Sequence, residues 1–371
     1  MYRRLAGAPL IALALALDAS QAQAALAQAW PPFVLVTGLL LIGLVAGRDG
    51  LFDAAASRLV RLPGPPLGLA LACFALVAAV TALLNLDTSA VFLTPVLVQV
   101  AKRRGLQMAP FLYGAVLMAN ASSLFLPGSN LTNLLVLSGA HVTGATFFWR
   151  MLPMAVAASA LTAGGLVVIH RRALFTACDP ADEPRAPVAP VRFGLGLWGA
   201  VVAAVLIVVL RNPALPVLAV GVILVGWRVR AGRLAWRGTL EWLGLPTLIS
   251  LFGLAVALGT FARASAFPAD VLHSAGGPLT LVVAALASVA INNLPAAVLL
   301  SSGHGLPVGA LLLGLNVGPN LAVTGSLAVL LWWRAAVGAG ARPSALAYSR
   351  QGLVLAPLAL ALGLALASPY A

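Results

Sequence analysis

The chain has 371 residues, of which 61% are hydrophobic and only 8% are charged. A soluble domain carries roughly 25% charged residues, so this composition excludes a soluble enzyme and indicates many membrane spans. The net charge of +13 is typical of basic loops that face anionic membrane lipid, and we expect no nucleic-acid partner. Two cysteines are too few for a disulfide framework or a thiolate cluster, and we expect no cofactor and no resident metal.

Apolar runs follow one another along the chain with short polar gaps between them. Arg3 and Arg4 precede the first run as in a signal peptide, but the next run follows directly, which favours an uncleaved first helix. A crossing needs about 20 residues, and the runs predict about 9 full spans plus 2 hairpins. The runs lie near residues 5–27, 31–47, 65–101, 108–149, 151–169, 194–210, 213–230, 239–261, 277–303, 306–333 and 351–368.

Four of these runs are interrupted near their middle by Asn, Pro or Gly. The interruptions predict re-entrant hairpins at 65–101 and 277–303 and broken helices at 108–149 and 306–333. With this topology, only three of the 22 basic residues face the outer side. The positive-inside rule then places the N-terminus and most basic loops in the cytoplasm, in a multi-pass protein of the plasma membrane. The three outer residues are Arg150, Arg211 and Arg263.

The two halves of the chain carry matching signals in the same order. Residues 85–93 (NLDTSAVFL) correspond to 292–300 (NNLPAAVLL), and Ser-Asn-Leu at 129–131 corresponds to Pro-Asn-Leu at 319–321. The predicted topology gives the paired segments opposite directions across the membrane. We therefore expect an all-α fold of two inverted repeats, each with a hairpin and a broken helix.

The repeats occupy 1–169 and 193–371, and a Pro-rich, acidic stretch at 170–192 is expected to be a cytoplasmic linker. Mixed segments at 50–62 and 262–274 precede the two hairpins. We expect each of them to form a short interfacial helix.

Polar clusters occur in both hairpins and both breaks, at a depth where an unpaired polar group costs several kcal/mol. Such residues also serve as helix caps and interhelical hydrogen bonds in ordinary membrane bundles. Four clusters in symmetric positions, with helix ends directed at the space between them, instead favour a central substrate site. The candidate substrate-binding residues are Asn85, Thr88, Ser129, Asn130, Thr132, Asn133, Asn292, Asn293, Asn316, Asn320, Thr324 and Ser326.

The acidic residue Asp87 stands apart because it lies between two long apolar runs, whereas the other acidic residues fit loops or interfaces. A carboxyl group in such surroundings can bind and release a proton near neutral pH, so Asp87 is the candidate proton-coupling residue. The alternative is a structural Asp that caps the second arm of the hairpin.

No nucleotide-binding, zinc-protease or serine-hydrolase pattern occurs in the sequence. A membrane-embedded enzyme would need reactive groups at one membrane surface, whereas the polar clusters here are central and related by the repeat. We therefore expect a transporter rather than an enzyme.

Four motifs resemble the ArsB-type arsenite permeases of the ArsB/NhaD ion transporter superfamily. They are 85–95 (NLDTSAVFLTP), 122–135 (SSLFLPGSNLTNLL), 292–295 (NNLP) and 318–332 (GPNLAVTGSLAVLLW). The resemblance implies secondary transport in which arsenite or antimonite leaves the cell in exchange for protons, in some members with a soluble ATPase partner.

The chain departs from the permease pattern at Leu86, where Asn is common, and at Asn320, where Lys is common. Arsenite at neutral pH is an uncharged trihydroxide and suits a pocket of amides, hydroxyls and carbonyls with one carboxyl group. A dicarboxylate needs more positive charge than this set offers apart from helix N-termini. A sodium/proton antiporter and a sodium-coupled dicarboxylate or citrate carrier remain alternatives.

Overall fold

The computed structural model describes residues 7–138, 142–175, 194–265, 276–301 and 307–367, and within these ranges every regular element is helical. The first half begins with α1 (Gly7–Leu17), α2 (Ala19–Arg48) and α3 (Leu51–Val60). It continues with α4 (Pro66–Leu83), α5 (Leu86–Arg103), α6 (Met108–Ser122), α7 (Leu131–Leu137), α8 (Gly144–Ile169) and α9 (Arg171–Phe175).

The second half opens with α10 (Leu195–Val209), α11 (Ala214–Arg230), α12 (Trp236–Leu243) and α13 (Leu245–Ser265). After it come α14 (Gly276–Ile291), α15 (Asn293–Leu300), α16 (Val308–Val317), α17 (Leu327–Gly338) and α18 (Ala345–Ala365). Most of the predicted linker and of the predicted interfacial segment 262–274 lie outside the described residues.

The N-terminal helices differ from the predicted spans. The first apolar run does not form one helix, because α1 ends at Leu17 and Asp18 caps α2 by accepting a hydrogen bond from the Gln21 backbone N–H. Helix α2 then continues through residues 28–30, where the sequence predicts a gap between two spans, and through Pro31 and Pro32. Proline is tolerated inside membrane helices when neighbouring elements compensate for the lost hydrogen bond.

Within the described ranges, five helices are long and apolar enough to cross a membrane. This agrees with the predicted all-α, polytopic membrane fold. The five are Ala19–Arg48, Pro66–Leu83, Gly144–Ile169, Leu245–Ser265 and Ala345–Ala365.

The two helices that lead into the predicted breaks form the centre of the molecule. All residues of α6 from Pro110 to Ser122 are buried, and so are those of α16 from Gly309 to Val317. Both helices are apolar around their whole circumference, which is the pattern expected of a helix surrounded by other helices.

Packing between the two halves is reciprocal. The second arm of the first hairpin, α5, packs against α17, and the second arm of the second hairpin, α15, packs against α7. Helices α7 and α17 are the short segments that follow the two breaks. Each half therefore places its hairpin against the broken helix of the other half, as expected for two repeats related by a twofold axis.

A buried ion pair joins three leading helices. Arg228 at the end of α11 pairs with Asp49, the C-cap of α2, and the other Asp49 oxygen accepts a hydrogen bond from the Gly196 backbone N–H at 2.9 Å. The Asp49 side chain is only 4% exposed, whereas the sequence places it at a membrane interface or in a loop. Such a buried charge pair is costly to break from one side, so it fixes α2, α10 and α11 together.

Candidate functional site

The first break spans eight residues between α6 and α7. The α-helix stops after Ser122, a single 3₁₀ turn follows at Pro127–Ser129, and Asn130 caps α7 by accepting a hydrogen bond from the Thr132 backbone N–H at 3.1 Å. Pro127 has no N–H to continue the helix, and Gly128 lets the chain approach Ile207 and Leu39 closely. The predicted break is therefore present, and it begins four residues before Pro127.

The second break has the same construction. Helix α16 passes into a 3₁₀ segment at Gly318–Leu321, and Ser326 caps α17 through the Val329 backbone N–H at 3.4 Å. Helix α18 crosses this break at Gly352, where a Cβ atom would lie 1.7 Å from the carbonyl oxygen of Asn320. Only glycine fits at this crossing.

An amide network joins the two breaks, and Asn316 lies at its centre. The Asn316 Oδ1 atom accepts hydrogen bonds from Asn130 Nδ2 at 2.7 Å and from the Ser123 hydroxyl at 2.5 Å. Its Nδ2 atom donates to Asn133 Oδ1 at 2.8 Å and to the Leu312 carbonyl at 2.8 Å. One side chain from the second half therefore contacts three polar side chains of the first.

A second set of bonds surrounds Asn320. Asn120 on α6 donates to Asn320 Oδ1 at 2.8 Å, and Asn320 donates to the Leu117 carbonyl at 3.1 Å. The Tyr348 hydroxyl on α18 donates to the Pro319 carbonyl at 3.0 Å. All members of both sets are buried, and none of these hydrogen bonds comes from Lys or Arg.

The tip of the first hairpin holds several polar atoms without partners. Asn85 caps α5 by accepting a hydrogen bond from the Thr88 backbone N–H at 2.6 Å. Within the described ranges, the Asn85 Nδ2 atom and the hydroxyls of Thr81, Thr88 and Ser89 are buried and make no hydrogen bond. The Thr132 hydroxyl, in the first turn of α7, is also buried and unpaired. Buried polar groups normally have partners, so a group of unpaired ones indicates a place for a ligand or water.

The predicted proton-coupling residue Asp87 lies in the first turn of α5, beside these groups. Its side chain is partly exposed, and no described residue forms a hydrogen bond or an ion pair with it. This position differs from that of a capping Asp, because Asn85 already fills the cap.

The tip of the second hairpin is bound tightly to its own break. Asn292 donates to the Thr324 carbonyl at 3.1 Å, and the Asn293 backbone N–H donates to the Gly325 carbonyl at 2.9 Å. Asn292 has a φ of 78°, which is the only positive φ among the described residues other than glycine. This conformation costs about 1–3 kcal/mol and persists only where surrounding contacts enforce it.

Each break is also fastened to its own hairpin by a hydroxyl group. Ser129 donates to the Ala82 carbonyl in the last turn of α4 at 3.2 Å, and Thr324 donates to the Val289 carbonyl in the last turn of α14 at 2.8 Å. Ser129 is fully buried and its bond is part-buried in the first half, whereas Thr324 and its bond are exposed in the second.

The structure therefore sorts the predicted site residues into three connected groups. The groups are Asn85, Thr88 and Ser129 around the first hairpin; Asn130, Thr132, Asn133, Asn316 and Asn320 between the breaks; and Asn292, Asn293, Thr324 and Ser326 around the second hairpin. Three further members of these networks, Asn120, Ser123 and Tyr348, are not among the residues predicted from the sequence. Asn120 stands out as an amide inside an otherwise apolar helix, which is a usable signal, whereas the Tyr348 contact depends on α18 crossing the second break.

A cavity of about 490 Å³ reaches the first break from the surface. Pro127 forms part of its wall, and Arg211 is the one charged residue among the described residues that line it. The buried side chain of Ile207 also lines the cavity and packs next to Gly128, so the cavity directly adjoins the break.

Comparison with solved structures gives the class of fold. The fold is similar to that of the YdaH transporter of Alcanivorax borkumensis, with a TM-score of 0.55 and 15% identity over 95% of this chain and 87% of the other. No curated protein sequence matches the chain.

Residues 3–338 match the CitMHS family, described as "Citrate transporter". The chain belongs to this family and is a secondary transporter of the membrane, not an enzyme. Of the resemblance noted above, the part that concerns an ion transporter superfamily is confirmed; the arsenite assignment remains a prediction.

Proposed function

We propose that this protein exports arsenite, as the uncharged trihydroxide, in exchange for protons, and that Asp87 carries the proton. The observation that supports the proposal is the set of unpaired groups at the first hairpin, which consists of amide and hydroxyl groups with one carboxyl group beside them. A solute held there receives hydrogen bonds but no counter-charge from Lys or Arg. These properties suit a small neutral oxyacid.

In this mechanism the solute lies between Asn85, Thr88 and Thr132, where it pairs the free amide and hydroxyl groups. Asp87, which precedes Thr88 in the first turn of α5, gains or loses its proton as the site opens to one side of the membrane or the other. Buried polar groups without a partner are costly in a low-dielectric interior. The bound solute therefore stabilises one state of the carrier, and the proton on Asp87 stabilises the other.

Asp87→Asn should abolish proton-driven arsenite uptake into everted membrane vesicles, because the amide cannot titrate. Asp53→Asn is the matched control, since Asp53 is an exposed acidic residue on α3 outside the site. Unchanged coupling in the Asp87 variant would remove this residue from the mechanism. Arsenite uptake driven by a sodium gradient alone would replace the proton with sodium as the coupling ion.

The second candidate cargo is citrate, and the family match favours it. Citrate at neutral pH carries several negative charges and would depend on the donor groups Asn85 Nδ2, Thr88 and Ser89 for stabilisation. The same vesicles discriminate the two solutes, since citrate transport without arsenite transport would overturn the arsenite proposal and leave the family assignment intact.

A further inference from the structure

A second, polar pocket lies at the end of α8, away from the breaks. It has a volume of about 380 Å³, and its polar lining residues are Gln107, His170, Arg171 and Arg172. The apolar part of the wall is formed by Val168 and Ile169, whose side chains are 63% and 40% exposed. The pocket therefore combines basic groups with an exposed apolar edge on a helix long enough to span a membrane.

The basic residues are held in place by the fold. Leu174, at the far side of the short helix α9, is fully buried in the main core and anchors α9 against α4. His170 is connected to α18 by a hydrogen bond of 3.0 Å between its Nε2 atom and Gln351 Oε1. Because the Gln351 amide nitrogen donates to the Ala347 carbonyl, Oε1 acts as the acceptor and His170 as the donor.

The charge of the pocket comes from its arginines. Burial lowers the pKa of the His170 imidazole, and the hydrogen bond to Gln351 opposes this shift. At neutral pH the ring is thus mainly a neutral hydrogen-bonding group. Arg171 carries an exposed guanidinium group, which suits the oxygen atoms of a phosphate, and Arg172 adds to the positive charge of the wall. Within the described residues no acidic side chain lines the pocket.

We propose that this pocket binds the phosphate headgroup of an anionic phospholipid, whose acyl chains lie along Val168 and Ile169. The predicted orientation places the pocket at the cytoplasmic leaflet, where anionic lipids attract basic groups next to membrane helices. Free phosphate has the same headgroup chemistry, but it gains nothing from the exposed apolar edge.

The test uses the full-length protein purified in a neutral detergent. Native mass spectrometry counts retained lipid after addition of phosphatidylglycerol or, separately, phosphatidylcholine. We expect preferential retention of phosphatidylglycerol and a loss of apparent affinity of roughly tenfold or more in the double variant R171Q/R172Q. The matched control is R230Q/R233Q, which removes the same charge from exposed positions on α11 and the loop after it, and should retain phosphatidylglycerol as the wild type does.

Equal retention of the two lipids by the wild type, or equal retention of phosphatidylglycerol by R171Q/R172Q, would overturn the proposal. Displacement of the lipid by millimolar inorganic phosphate would overturn the lipid source and indicate a phosphate site. Q107A provides a second variant at an exposed lining position, in case the double variant does not fold. It should weaken phosphatidylglycerol binding by a smaller factor.

Discussion

The two hairpin tips share one design and differ in how completely their polar groups are paired. In each tip an Asn caps the second arm. In each first arm a backbone carbonyl accepts a hydrogen bond from a hydroxyl group in the break of the same half. In the second hairpin the amide also bonds to the break, with a strained backbone at Asn292. In the first hairpin Asn85 is extended and unstrained, and its amide nitrogen has no partner.

This difference indicates separate tasks for the two halves. The second hairpin is hydrogen-bonded to its break, and the amide nitrogen of Asn292 is used in that contact. The first hairpin keeps free donors and acceptors next to the partly exposed carboxyl group of Asp87. We therefore assign solute and proton binding to the first half and a mainly structural role to the tip of the second.

The largest expected effect is on the network that both halves share. Asn316→Leu removes the partner of Ser123, Asn130 and Asn133 at once, and each orphaned buried group costs about 1–3 kcal/mol. We expect a loss of roughly 3 kcal/mol or more in the free energy of unfolding, measured by thermal or denaturant unfolding in detergent. Asn212→Leu, at an exposed position, is the control. Similar stability of the two variants would contradict the role of Asn316.

The strained tip gives the next largest effect and separates the two hairpins. Asn292→Ala loses the cap of α15 together with the exposed amide bond and keeps the strain, so it should destabilise the protein by about 1–2 kcal/mol. Asn292→Gly relieves the strain at a φ of 78° and should cost about 1 kcal/mol less than Ala. At Asn85, with a φ of −174°, glycine should bring no such relief. The same order of Ala and Gly at both positions would remove the contrast between the tips.

The smallest effect concerns the two hydroxyl groups that fasten break to hairpin. Ser129→Ala removes a part-buried bond of a fully buried side chain and should cost about 1 kcal/mol, whereas Thr324→Val removes an exposed bond that water can replace and should cost only a few tenths of that. Unfolding measurements on both variants and on the double variant compare the two halves directly. A larger loss of unfolding free energy from Thr324→Val than from Ser129→Ala would contradict the assignment of the more buried contact to the first half.

Much of the architecture could be predicted from residue patterns. Pro, Gly and Asn inside apolar runs are expensive at membrane depth, and they marked both hairpins and both breaks. The capping role of Asn130 and Ser326 follows from the same rule. The end of α1 was not predictable in this way, because Pro31 and Pro32 carry a stronger local signal than Asp18, and tertiary packing overrides it.

The partners within the site were harder to predict because they are distant in sequence. Nothing near Asn316 indicates that its amide meets Ser123, and nothing near Asp49 indicates Arg228. Which polar atoms stay unpaired is likewise a property of the packed helices. Asn85 and Asn292 have matching positions in the sequence and similar caps, yet only the three-dimensional contacts distinguish a free amide from a bound one.

The most direct test of the account is a measurement of proton exchange when solute binds to the purified protein. A pH-sensitive dye in weakly buffered detergent solution reports protons released or taken up as arsenite is added. We expect that the wild type releases or takes up protons in an amount that saturates with arsenite. This signal should disappear in Asp87→Asn and persist in Asn292→Gly. A signal of the same size in Asp87→Asn, or one lost only in Asn292→Gly, would contradict the assignment of solute and proton to the first hairpin.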